Sequence, residues 1–159
     1  MDERPSLAEA QLAVDAAVAR LTATDARTEV LAEWRSGRRL GPIHRPDVVA
    51  PLGRVWRLGV LLLEPDGTLR RTGEVIQAQS PRFDNHQSNR AVERRELRVA
   101  IDKAGIAAGE TVNIGATPVA LGDALVVSWN GSADPGAQVP LPVYLRDRVE
   151  LLADPPGGA

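Results

Sequence analysis

RVWRLGVLLLEPDGTLRRTGEVIQAQ, residues 54–79, decides the fold class. Trp56, Leu58, Val60 and Leu62 alternate along the first half, and Val55, Gly59, Leu61 and Leu63 fill the other side. A period of two is the signature of an extended strand, and apolar residues on both sides point to a strand covered on both faces. Pro65-Asp66-Gly67 then supplies the three properties a tight turn needs: a preset φ, a side chain that tolerates a corner, and freedom at positive φ. TLRRTGEVIQAQ reads as the returning strand, so residues 54–79 are expected to form a hairpin and to seed an antiparallel sheet.

Working outward, Ser6 and Glu9 have the spacing of a capping box. Leu7, Ala10, Val14, Ala17, Val18 and Leu21 follow on one helical face. Thr24 or Asp25 can cap a second helix bearing Val30, Leu31 and Trp34, which would make residues 1–37 an N-terminal helical pair. RRLGPIHRPDVVAPLG, with three prolines and two glycines, reads as a connector over 38–53. Beyond the hairpin, a helix is expected at about 90–104, capped by Ser88 or Asn89, with Leu97, Ala100, Ile101 and Ala104 inward. ETVNIGATPVA and Ala124–Trp129 read as two more strands, and Pro142 starts a last helix carrying Leu145, Val149 and Leu152. The expectation is an α+β fold in the order ααββαββα, an antiparallel sheet of about four strands with helices packed on it. The α+β domain spans 54–154, with a disordered tail at 155–159.

Composition excludes several function classes. The chain has 159 residues, 43% of them hydrophobic and 25% charged, with a formal net charge of -2. A weakly acidic chain lacks the overall positive field of non-specific nucleic-acid binding, so no nucleic-acid partner is expected. Lys103 is the single lysine; the other 18 of the 19 basic residues are arginine. Without cysteine there is no disulfide, thiolate nucleophile or zinc–thiolate site. GVLLL at 59–63 is too short to span a bilayer, so no membrane partner is expected. MDERPSLAEA carries acid where a secretory signal needs positive charge, and a cytoplasmic location is expected. Asn130-Gly131-Ser132 is read as a turn.

Four features are weighed as candidates for chemistry. Asp84 and His86, in the loop before the third helix, could act as an oriented general base, or as turn and cap residues only. The one other histidine, His44, lies in the proline-rich connector. Arg38, Arg39 and Arg45 could grip an anion, or simply offset a helix C-terminus. Arg90, Arg94, Arg95 and Arg98 alternate with Glu93 and Glu96, the mark of a solvated helix face. Asn113 interrupts an apolar strand and could hold a ligand or backbone. No serine sits in a nucleophile elbow, and neither common nucleotide-binding motif occurs, so no cofactor and no metal are expected.

VWRLGVLLLEPDGTLRRTGEV, ELRVA, GETVNIGATPV and VPLPVYLRDRVELLADPP together resemble a family of small actinobacterial proteins, members of which are sometimes labelled glutaminase. The resemblance covers most of the chain from about Gly53 onward and implies hydrolysis of the glutamine side-chain amide. The chain departs from serine-dependent glutaminases in lacking Ser-x-x-Lys, and from amidotransferase types in lacking cysteine, so no catalytic residue carries over. Two functions therefore stand as expectations. The first is a non-catalytic interaction or ligand-binding domain that self-associates into a homo-oligomer. The alternative is a small amidase-like hydrolase using His86 and Asp84.

Overall fold

The computed structural model describes residues 3–78 and 89–157. Three helices, α1 (Leu7–Ala23), α2 (Asn89–Lys103) and α3 (Leu141–Ala153), accompany eleven strands. The strands are β1 (Glu29–Arg35), β2 (Arg39–Leu40), β3 (Ile43–His44), β4 (Val48–Leu58), β5 (Leu61–Leu63), β6 (Leu69–Arg71), β7 (Glu74–Gln77), β8 (Thr111–Ile114), β9 (Thr117–Val119), β10 (Val126–Ser128) and β11 (Gln138–Pro140). The α+β class and the antiparallel bias hold. The main sheet, however, counts seven strands rather than four, and the order is not ααββαββα.

The N-terminal helical pair is not formed. Only its first member exists, started by the capping box: Glu9 N–H donates to Ser6 Oγ, while Ser6 N–H donates back to Glu9 Oε2 at 2.8 Å. Thr24 and Asp25 end this helix instead of starting another. Thr24 Oγ1 donates to the carbonyl of Arg20, Asp25 turns the chain at φ 48, and Ala26 N–H bonds Leu21 O. Residues 29–35 then run as β1. Their composition suits a helix, but Val30, Leu31 and Ala32 are buried in succession, as in a strand covered on both faces. Parallel pairing with β8, Val30 opposite Val112 and Ala32 opposite Ile114, overrides local propensity. The connector at 38–53 likewise contains β2, β3 and the first part of β4.

The chain divides into two compact units. The first comprises Met1–Thr28, Arg54–Thr72 and Thr117–Ala159. Its strands run β4-β5-β6-β9, all antiparallel, with Trp56 opposite Leu63, Leu63 opposite Leu69, and Leu69 opposite Val119. Ala10, Val14, Ala17 and Leu21 of α1 and Leu141, Leu145 and Val149 of α3 join Leu58, Leu61 and Leu69 in one apolar cluster. The expected strand 54–63 is two strands, folded back at Gly59-Val60. Gly59 has φ +65 at the first central position, the requirement of a type II′ hairpin. The turn expected at Pro65-Asp66-Gly67 holds: Glu64 N–H bonds Thr68 O, and Asp66 Oδ1 accepts from Thr68 N–H. That contact lowers the Asp66 pKa from its usual range.

The second unit comprises Glu29–Gly53 and Gly73–Ala116. β8 lies between β7, antiparallel to it, and β1, parallel to it. Leu97 and Ile101 of α2 pack with Val30, Val49, Ile76, Val112 and Ile114. Two further strands expected from the sequence are also broken. TLRRTGEVIQAQ divides at Thr72-Gly73 into β6 and β7, and ETVNIGATPVA divides at Gly115-Ala116 into β8 and β9. In each case one piece belongs to each unit.

Candidate functional site

The residues expected to carry chemistry do not converge within the described residues. Asp84 and His86, and the cap at Ser88, lie outside them. Arg38, Arg39 and Arg45 are exposed and sit on the β2–β3 hairpin of the second unit, not at a helix C-terminus, because the element leading into them is strand β1. His44 is on the same hairpin, directly opposite Arg39. Asn113 is fully buried, and its amide donates to Glu29 Oε2 at 2.7 Å and to Val30 O at 3.3 Å. It therefore fastens β8 to β1 rather than facing a ligand. Among the described residues no group of three or more His, Asp or Glu side chains could hold a metal ion.

One hollow of the first unit has a volume of about 460 Å³. Val60, Leu61, Val126 and Val127 give it an apolar floor, and Arg71, Thr72, Asp123, Ser128 and Gln138 bring polar groups to the wall. Local structure explains how these residues meet. β6 pairs with β9, placing Arg71 opposite Thr117; the short 3-10 turn Leu121–Asp123 follows β9 and presents Asp123. β10 pairs with β11 so that Ser128 stands opposite Gln138. Neither Arg71 nor Asp123 belongs to an ion pair among the described residues. Opposite charges thus line one concave surface without neutralising each other in a salt bridge.

Ser128 is held. Its hydroxyl lies 2.7 Å from Ser132 O and 3.2 Å from Asn130 Oδ1. Ser132 N–H donates to the same Asn130 oxygen at 2.9 Å, so Asn130-Gly131-Ser132 is the expected turn and its role is to shape the rim. A serine nucleophile needs its hydroxyl aimed at a base. Here it is aimed at a carbonyl. A smaller hollow of about 260 Å³ lies between α1 and α3, among Ala13, Ala17 and Leu145. Its charged residues are already paired, Arg20 with Glu150 at 3.2 Å and Arg146 with Asp147 at 3.4 Å.

Sequence reasoning missed Arg71, Thr72, Asp123 and Gln138. They come from three separated stretches that only the fold brings together, and no motif announces them. Compared with family models, curated proteins and solved structures, the chain matches none.

Proposed function

We propose that the chain is a non-catalytic ligand-binding domain whose ligand occupies the hollow of the first unit. One observation carries this reading: an apolar floor with a guanidinium and a carboxylate on the same wall, neither in an ion pair among the described residues. A pocket of this volume and mixed lining suits a small organic molecule. Arg71 suits an anionic group and Asp123 a cationic one, so the fitting ligand is a small zwitterion of amino-acid or dipeptide size. The held Ser128 hydroxyl and the opposing Gln138 amide supply orientation rather than reactivity. The hydrolase alternative would draw on Asp84 and His86, and nothing in this hollow favours it.

The test is titration of the isotope-labelled chain with small amino acids, and with acetate and methylamine as single-charge probes. The zwitterion is expected to shift the amides of Asp123, Ser128 and Gln138, and each single-charge probe to bind about tenfold more weakly, one lost charge contact. Arg71→Ala and Asp123→Asn should each bring the zwitterion down to that level. No shift at these amides with any probe sinks the reading. Self-association belongs to the same proposal and is supported by β7, which is paired on one side only among the described residues and leaves Val75 exposed. An open edge is a template for a second chain. Sedimentation at rising concentration should show a dimer; a monomer throughout counts against it.

A further inference from the structure

We propose that the β2–β3 hairpin docks on a bilayer surface bearing anionic headgroups. Its apex is Leu40-Gly41-Pro42-Ile43, exposed throughout, with Leu40 57% and Ile43 64% accessible. Gly41 takes φ +60, and a Cβ built there would meet nothing within 4 Å. The apex therefore projects into open space. Below it the register sets Arg39 opposite His44 and Leu40 opposite Ile43, and Arg45 N–H bonds Arg38 O at 3.1 Å. Side chains alternate along paired strands, so Arg38 and Arg45 share the face of Leu40 and Ile43, while Arg39 and His44 take the other face. Two aliphatic side chains thus stand above a collar of three arginines and a histidine. The base is fixed by Gly37 N–H, which donates to Asp47 Oδ1 at 2.6 Å. None of the three arginines is in an ion pair among the described residues.

Charge complementarity and the apolar apex together select the occupant. A free phosphate would satisfy the arginines and leave Leu40 and Ile43 unexplained. Single-stranded nucleic acid would want an aromatic platform, and the apex has none. An anionic bilayer answers both features: headgroup phosphates and carboxylates meet the arginine collar, and the aliphatic apex enters the boundary between headgroups and acyl chains. This is surface docking. No helix among the described residues is long and apolar enough to cross a membrane.

Co-sedimentation of the full chain with vesicles tests the proposal. Binding is expected to phosphatidylcholine vesicles carrying phosphatidylserine, not to phosphatidylcholine alone, and to weaken as salt is raised. Arg39→Glu should reduce partitioning at least fivefold, as should the double change Leu40→Ser with Ile43→Ser, whereas Ile43→Leu should bind as wild type. These positions are exposed, and an unchanged urea midpoint confirms that the variants fold. Three outcomes overturn the proposal: no preference for anionic vesicles, equal binding by wild type and the double variant, or capture by a DNA duplex in preference to the vesicles. The zwitterion titration concerns the other unit, so either reading can fail alone.

Discussion

Glu9 shows how a single exposed side chain can set the start of a helix. Its carboxylate accepts from Ser6 N–H and from the Ser6 hydroxyl, both at 2.8 Å. The backbone bond is the larger influence and the hydroxyl the second, and together they hold the Glu9 pKa below the usual 4.5. A depressed folded-state pKa means that the charged form is favoured on folding. The contribution is therefore present above the usual glutamate value and is lost as pH falls through the lowered one. Glu9→Gln keeps an acceptor but removes the titration. Relative to wild type, the variant is expected to be slightly less stable at neutral pH and to converge with it as pH falls through the lowered Glu9 value. Urea midpoints measured across that fall check this; a constant gap between the two proteins would show that the Glu9 charge is irrelevant.

At the scale of elements, the same local rules explain what was legible and what was not. The capping box, the Pro65-Asp66-Gly67 turn and the inward stripes of α2 and α3 were legible because each is decided by neighbours within a few residues. Residues 29–35 were not, since Glu-Val-Leu-Ala-Glu-Trp-Arg suits a helix and its deciding partner, Val112, is far along the chain. Gly59 was hidden because the apolar run continues through it on both sides. The hollow was invisible because Arg71, Asp123 and Gln138 have no sequence relation, while Asp84 and His86 lie outside the described residues. The Gly59 turn also shows how one element locks another. Tyr144 Oη in α3 accepts from Val60 N–H at 2.9 Å and donates to Leu58 O at 2.7 Å, bridging both ends of the turn. A Cβ on Gly59 would collide with that hydroxyl. Tyr144→Phe leaves a donor and an acceptor without their partner and should cost about 1–3 kcal/mol. Gly59→Ala adds positive-φ strain to the collision and should cost at least as much. In the double variant the collision is relieved, so the combined loss should fall short of the sum. Urea denaturation of all four proteins measures this, and strict additivity would mean that the hydroxyl and the turn are independent.

The whole molecule interleaves two cores along one chain, since neither unit is a contiguous segment. If the second unit opens, its two stretches become loops of the first, and loop closure costs only about 0.6 kcal/mol more per doubling of length. The first unit, with two helices in its cluster and the Tyr144 bridge, can therefore outlast the second, which relies on α2 alone. Native-state amide exchange should then resolve two levels of opening, the lower reporting β7, β8 and α2 and the higher reporting α1, α3 and β5. Paired cavity variants fix the hierarchy. Ile101 and Leu145 are each 1% exposed, and truncation of either to alanine should cost about 2–5 kcal/mol. Ile101→Ala raises the native state relative to both the partly open and the fully unfolded states, so it should lower protection everywhere. Leu145→Ala raises the native and partly open states alike, so it should lower protection only in the first unit. The reverse pattern would place the weaker core in the first unit, and equal losses everywhere from both variants would mean that the two cores open as one.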